Sequence, residues 1–481
     1  MDQRVYLEKG QAILRRLHEL TYEAYFVGGM VRDYLLGLDF VDIDIATSAT
    51  PQEIAKFFPN VDMEYADDGC AVIKDGEYEF EVSTFKKEEY ASISRHPSTK
   101  YYSTNLADDI ERRDYTVNAL AMTENLKIID LCKGQKDLKR KTIRVIGRAK
   151  KRYKEDPLRI LRGFELVARF GFSFSMGTED GISQSAMHLA NVSDNKLNEK
   201  MIVIFDGKYG KKALKTMMVL KVVEELKDYS KGIPFVHKHF NDLTLEEKFA
   251  LCYYLNGTIP SNTCFDRVTL TKIKTILKTL KEINDSPIDR MHIFHYGIEI
   301  VSSVDRIRSI VNKDIKSSAR EIEKIGRSMP ISSTSDLNFR GNDVLALSNG
   351  QTGPFIAEVI EALRQKVVLG ELPNEFEELN KEARNILIDK GVIEGKIKKT
   401  KKPESIKSRA VNKVDKEKEA LLEQYKKDLE KLVKVNLDLL VDETMTKEEI
   451  EDTTKQVEKS VKKALIKKNP KYQELESEGL I

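Results

Sequence analysis

Apolar residues recur at helical spacing over residues 5–20, so the chain opens with an amphipathic helix that packs under a sheet. The period then changes. Tyr25-Phe26-Val27 is a short apolar run that ends at Gly28-Gly29. Residues 30–36 return to helical spacing and stop at Gly37, and Asp42-Ile43-Asp44-Ile45 alternates with period two. Strand, glycine turn, short helix and strand follow one another. Thr50-Pro51 starts a further helix to Phe57, and residues 69–73 and 78–85 are predicted strands joined by a hairpin turn at Asp75-Gly76. Residues 86–105 are polar without a clear period and are predicted to be a long flexible loop. Beyond Glu155 the pattern is mostly helical. The expected fold class is α+β, a small mixed sheet with helices followed by an all-α remainder.

Charge and cysteine usage narrow this little. Lys and Arg outnumber Asp and Glu by only two over 481 residues, so local clustering must decide whether nucleic acid is a partner. Cys70, Cys132, Cys252 and Cys264 show no C-x-x-C spacing, which suggests neither zinc nor a disulfide framework and fits a reducing cytoplasm. The N-terminal MDQRVYLEKG lacks the apolar core of a signal peptide. No apolar run approaches the ~18 residues of a membrane span.

The chemistry starts in the glycine turn and the second strand. Read as a strand, the alternation at Asp42–Ile45 places both carboxylates on one face and both isoleucines on the other. Two carboxylates on one face suit Mg2+, which prefers one or two carboxylates plus phosphate oxygens. The Gly28-Gly29 turn offers backbone N–H groups at a helix start, which favours phosphate, and Arg32 adds a charged fork. These parts fit metal-assisted nucleotidyl transfer. Further on, Glu77, Glu79 and Glu81 share a strand face, and Glu81 is a candidate third acidic group; Glu77 and Glu79 fit a solvated edge equally well.

The pattern G-G-x-V-R-D followed by D-x-D resembles the polymerase-β-type nucleotidyltransferases, and within them the class II tRNA nucleotidyltransferases and bacterial poly(A) polymerases. The stretch DDIERRDYTVNALAM at residues 108–122 resembles that family's second signature, with Arg112 and Arg113 for phosphate oxygens, Asp114 for a ribose 2′-OH and Asn118 supporting the loop. Residues 130–147 resemble its linker signature, in which Asp130, Gly134 and Asp137 make a turn. Between residues 133 and 154 eleven Lys or Arg stand against one acidic residue, an excess that can track a phosphate backbone or form a solvated basic hairpin. Within the family a mobile loop stands where residues 86–105 lie and is associated with addition of the terminal A.

Asp156 and Arg159, three apart on one helical face, present an acceptor beside a forked donor. Cytosine and adenine match that pair. Uracil and guanine would leave like groups facing, at about 1–3 kcal/mol for an unpaired buried group. The resemblance assigns these two residues the same task. Asp156-Pro157 is equally a good helix start. Arg162 fits the family's next arginine, but Glu165 stands where another is expected, and Asn195 and Lys196 replace a usual Glu-Arg. His237-x-His239 and His292-x-x-His295 are read as surface histidines. Residues 334–387, with Arg340-Gly341-Asn342-Asp343 and a later GELPN, resemble the family's C-terminal tail.

The resemblance implies a polymerase-β-type head at 1–148 and an all-α remainder: a base-reading neck at 149–210, a body at 211–330 and a tRNA-binding tail at 331–394. A charged extension of unassigned role follows at 395–481, with heptad-spaced Leu422, Tyr425, Leu429, Leu432 and Leu439 around Asn436. It implies Mg2+ on Asp42 and Asp44, and nucleotide binding by Gly28, Gly29, Arg32, Arg113, Asp114, Asn118, Asp156, Arg159 and Arg162. The expected reaction is addition of C and A from CTP and ATP to a tRNA 3′ end in the cytoplasm. A poly(A) polymerase, an enzyme adding only A, and a catalytically silent RNA-binding protein are the alternatives.

Overall fold

The computed structural model describes residues 2–89, 99–259, 264–284, 286–394 and six single residues beyond them. The first helix, α1 (Gln3–Glu19), begins at Asp2, whose carboxylate accepts the Arg4 N–H at 2.9 Å. Its apolar stripe of Tyr6, Ile13, Leu14 and Leu17 is buried against the sheet. Strand β1 (Ala24–Val27) leads through Gly28 into α2 (Gly29–Leu35), and β2 (Ile43–Thr47) returns beside β1. Helix α3 (Pro51–Phe57) is set by a capping box in which Thr50 and Glu53 satisfy each other's backbone N–H.

Strands β3 (Val61–Asp62), β4 (Cys70–Asp75) and β5 (Tyr78–Thr84) follow. The β4–β5 turn is centred on Gly76-Glu77, one residue later than predicted, because Asp75 pairs with Tyr78 and Gly76 supplies the positive φ of 67°. Strand β5 pairs parallel with β2, so Glu81 lies level with Asp44. Tyr6 of α1 pins this junction: its hydroxyl accepts the Ile43 N–H at 3.2 Å and donates to the Glu79 carbonyl. The predicted loop at 86–105 is partly a hairpin, with β6 (Lys86–Glu89) antiparallel to β7 (Thr99–Tyr102); its centre lies outside the described residues.

Helix α4 (Leu106–Arg112) and a 3-10 turn at Thr116–Asn118 lead to β8 (Ala121–Met122) and β9 (Ile128–Ile129). The mixed sheet then reads β3-β4-β5-β2-β1-β8-β9. Helix α5 (Gly134–Lys139) starts where Asp130 accepts the Gly134 N–H at 2.7 Å, and it packs so tightly that a Cβ on Gly134 would lie 2.2 Å from the Thr116 carbonyl oxygen. After β10 (Thr142–Ile143) and α6 (Ala149–Glu155) comes the central helix α7 (Leu158–Phe170), closed by Gly171 in the left-handed region at φ 70°. Strand β11 (Ser173–Phe174) returns beside β10, and helices α8 (Met176–Ser185), α9 (Asp194–Asp206) and α10 (Gly210–Val219) pack on from there.

The rest is helical: α11 (Ile233–Lys238), α12 (Leu245–Asn256), α13 (Arg267–Ile283), and α14 (Arg290–Val311), which kinks at Gly297. His292 caps α14 through Asp289, and among the described residues no His, Cys, Asp and Glu side chains group as a metal cage. One apolar core runs from Tyr6 to Ile307, and a second, centred on Phe339, Val359 and Leu363, fills residues 331–393. In that second core Asn374 ties its loop by donating to the Asp336 carbonyl at 2.8 Å.

No helix among the described residues is long and apolar enough to cross a membrane. Residues 394–481 form a separate unit, in which the Tyr425 and Tyr472 rings meet edge to face at 5.1 Å. Leu422, Leu432, Asn436 and Leu439 of the predicted heptads lie outside the described residues.

Helix α7 is seated by a tight crossing. A Cβ on Gly163 would lie 2.4 Å from the Tyr115 hydroxyl and 2.8 Å from the Phe174 ring. Both neighbours are buried, and Tyr115 donates to the Arg159 carbonyl at 2.6 Å. Gly163→Ala should cost about 1–3 kcal/mol of stability by overpacking. Thermal unfolding should show a lowered midpoint; an unchanged midpoint would mean the crossing is loose.

Candidate active site

The site forms where β1 ends. Gly28 has φ 77°, and a Cβ there would lie 2.8 Å from Asp44 Oδ2, so both conformation and space demand glycine. Asp44 is partly buried on β2 beside Glu81, with Asp42 one pleat away. Burial, the Glu81 charge and the Asp42 charge raise the Asp44 carboxyl to about 6, against the pull of Arg113. Asp42 is exposed and precedes β2 rather than lying within it. The cluster therefore has more negative charge than its neighbours compensate.

Two clefts meet here. One, of about 550 Å3, is lined by Asp44, Glu81, Tyr65, Cys70 and Lys86. The other, of about 520 Å3, is bordered by Gly28 and Gly29 at the turn, by Arg32, Arg113, Asp114 and Asn118 from the head, and by Asp156, Arg159 and Arg162 from α7 and its start. All nine predicted nucleotide-binding residues thus surround one space. Arg112 and Arg113 border both clefts. Asp42 lines neither.

The arginines are held rather than loose. Asp109, fully buried on α4, takes Arg112 at 2.7 Å on one oxygen and Arg113 at 2.8 Å on the other. Burial alone would raise this carboxyl, but Arg113 and Arg112 hold it below the usual range. Arg32 is buried, donates to Asp33 at 2.9 Å and to Asn118, and lies 4.6 Å over the Phe170 ring. The second oxygen of Asp33 accepts from Arg169 at 2.8 Å.

At the start of α7, Asp156 accepts the Leu158 N–H at 3.1 Å with one oxygen and Arg162 at 3.0 Å with the other. Asp156 is therefore both a helix cap and part of the cleft. Arg162 also reaches Asp114 at 2.8 Å. Burial would raise Asp114, yet Arg162 and the Tyr115 N–H keep it below the usual carboxylate range. Arg159 is buried, with donors to the carbonyls of Arg152 and Arg112, each at 3.2 Å. Glu165 meets Lys200 of α9 at 3.1 Å. Lys200 thus offsets the charge that departs from the family pattern, although burial still raises the Glu165 carboxyl.

Residues 24–144 match the family described as "Poly A polymerase head domain", and residues 264–383 match "tRNA nucleotidyltransferase domain 2". The CCA-adding enzyme of Bacillus cereus (strain B4264) is 29% identical over 385 residues, covering 77% of this chain and 96% of that protein. That of Bacillus cytotoxicus is 29% identical over 384 residues, with the same coverage. Among solved structures, the Bacillus stearothermophilus CCA-adding enzyme in complex with CTP superposes with a TM-score of 0.62 at 27% identity, over 80% of this chain and 99% of that one.

Across most of its length the chain is similar to CCA-adding enzymes, and its head and a later domain each match a nucleotidyltransferase family model. Members of this nucleotidyltransferase family depend on divalent cations. The residues present fit one: Asp44 lies in uncompensated negative charge, and with no three-ligand cage among the described residues a cation there would complete its shell with substrate oxygens.

Asp109 was legible as a partner three and four residues before two arginines. Asp33 stands in the G-G-x-V-R-D pattern without an assigned role, and Arg169, Phe170 and Lys200 carried no local signal.

Two outcomes follow from this geometry. Asp33→Asn should raise KM for CTP and ATP about tenfold, a charge-assisted hydrogen bond to Arg32 being worth ~1.5 kcal/mol; steady-state kinetics with an unchanged KM would show that Asp33 does not set Arg32. Asp44 has a folded pKa above its unfolded value, so its ionisation costs stability as pH rises from about 4 through about 6. In chelator-treated protein Asp44→Asn should therefore raise the melting temperature at pH 7.5 by a few degrees, with little difference near pH 4. Nucleotide incorporation should be lost. Equal melting temperatures at both pH values would contradict the charge imbalance.

Proposed function

We propose that this protein adds C and A, without a template, from CTP and ATP to the 3′ end of tRNA, completing CCA and releasing pyrophosphate. The observation that carries this reading is the single cleft in which a carboxylate–arginine set from the head faces Asp156, Arg159 and Arg162 of the neck. Similarity across nearly the full length of the Bacillus cereus CCA-adding enzyme supports it.

In this reading the head is residues 1–148, the neck 149–210, the body 211–330 and the tail 331–394. Asp42 and Asp44 hold Mg2+, which when bound supplies charge for the attacking 3′-hydroxyl and the leaving pyrophosphate. Gly28 and Gly29 let backbone N–H groups approach the triphosphate, and Arg32 and Arg113 pair with its oxygens. Their anchors, Asp33, Asn118 and Asp109, fix those guanidinium planes before substrate arrives. Asp114 accepts from the ribose 2′-OH while Arg162 and Asn118 hold its orientation. Asp156 and Arg159 read the base edge. Cytosine and adenine pair with an acceptor beside a donor; uracil and guanine leave like groups opposed. The Glu165–Lys200 pair keeps the wall beside Arg162 from turning negative. The β6–β7 hairpin stem fits a member that keeps the loop associated with A addition.

The test is incubation with Mg2+ and three tRNA transcripts, ending before CCA, after C and after CC, offered each nucleotide singly and CTP with ATP together. Stepwise completion to CCA followed by a stop is expected. Extension of the CC-ended transcript alone would make it an A-adding enzyme, and long A tails a poly(A) polymerase. No incorporation under any condition would overturn the enzyme reading.

A further inference from the structure

Arg152 borders neither of the two clefts, yet it holds the backbone of residues that border both. It stands on α6, and its side chain is largely buried. One of its terminal nitrogens, Nη2, donates to the carbonyl of Arg112 and, at 2.9 Å, to that of Arg113. Helix α4 ends at Arg112, so these two carbonyls have no partner within the helix. A guanidinium from α6 thus caps the helix end from which the two cleft arginines project. The other terminal nitrogen, Nη1, donates to Glu155 at 2.8 Å, which fixes the plane of the group.

Arg159 uses the same two acceptors. It donates to the Arg112 carbonyl at 3.2 Å and to Glu155 at 3.4 Å, and the carbonyl of Arg152 itself accepts from it at 3.2 Å. The two arginines differ in what lies within their reach. Arg159 lines the nucleotide cleft, so it can turn toward a base edge, whereas Arg152 does not face that space. When Arg159 turns away, the Arg112 carbonyl keeps Arg152 as its donor. A cap that merely tied α6 to α4 would act on stability alone. The shared carbonyl adds a link to base choice, because it is one of the partners that Arg159 must leave.

We propose that Arg152 is a positioning residue for base selection: it keeps the Arg112 carbonyl hydrogen-bonded while Arg159 turns to a cytosine or adenine edge, so that the Arg112–Arg113 backbone stays in place during recognition. The proposal rests on the reading of Arg159 as the residue that meets the base. Without Arg152, engaging a correct base leaves the Arg112 carbonyl without its standing donor, and each such engagement costs a hydrogen bond. A wrong base does not draw Arg159 out, so its handling changes less. The loss therefore falls on the correct nucleotides and is read as reduced selectivity.

The test uses the full chain and measures kcat/KM for CTP and UTP on a tRNA transcript ending before CCA, and for ATP and GTP on one ending after CC. Arg152→Gln should lower the CTP-to-UTP and ATP-to-GTP ratios about tenfold, chiefly through KM for CTP and ATP. Such ratios do not change with the fraction of protein that folds, so a loss of stability cannot mimic the effect. Arg152→Lys, which keeps a charged donor, should recover part of each ratio. In an Arg159→Gln background the Arg152→Gln change should lower the ratios no further. Wild-type ratios in Arg152→Gln, with only the melting temperature lowered, would overturn the proposal and leave Arg152 a structural cap. An equal further loss in the Arg159→Gln background would overturn it as well. Wild-type ratios in Arg159→Gln alone would overturn the base reading on which it rests, and wild-type protein that extends no transcript would overturn the function itself.

Discussion

One guanidinium joins the two sides of the cleft. Arg162 on α7 bonds Asp114 of the head and Asp156 at its own helix start, and its charge helps to hold the buried Asp114 below the usual carboxylate range. From Asp114 the chain of contacts runs on through Asn118 to Arg32, from Arg32 to Asp33, and from Asp33 to Arg169, which is again on α7. The network begins and ends on one helix and passes through both signature loops of the head. Breaking its buried Arg32–Asp33 pair would strand a charge, at about 3–5 kcal/mol, whereas the half-exposed Arg169 contributes much less. The orientation of α7 on the sheet and the aim of the cleft arginines are therefore one quantity.

What was legible in the chain divides along this line. The Gly28-Gly29 turn, the alternation at Asp44, the arginine pair and the Asp156 helix start are local patterns, each readable from backbone needs and side-chain chemistry. Their convergence on one cleft was expected only through resemblance, because no residue in one stretch encodes its distance from another. Asp33 and Arg169 lie far apart in sequence, and Asp33, although part of the G-G-x-V-R-D pattern, gives no sign of which side chain it meets. Lys200 likewise gives no sign that it compensates Glu165. The loop at 86–105 hid a hairpin stem because the strand sequences Lys86–Glu89 and Thr99–Tyr102 carry no apolar alternation. The β4–β5 turn moved by one residue because strand pairing, not the Asp-Gly pair alone, sets which residues are central.

The acidic end of the site is arranged in the opposite way from the arginine end. The arginines have carboxylates, amides and a ring around them, whereas Asp44 faces two further acids against the pull of Arg113. Such a cluster costs folding stability when ionised and gives it back to whatever cation enters. Gly28 belongs to this economy of space, since any side chain there would occupy the volume that the Asp44 carboxylate uses.

Arg159 in the resting protein donates to two backbone carbonyls, those of Arg152 and Arg112. As a reader of the base edge, it must be drawn away from partners that remain available. In the proposed reading a wrong base leaves Arg159 its two carbonyls and Glu155 to return to, so rejection costs less than a fully orphaned charge. Fidelity in such a site is bounded by its own resting comfort. In the proposed reading, the carbonyls that hold Arg159 also set how forgiving the site is of error.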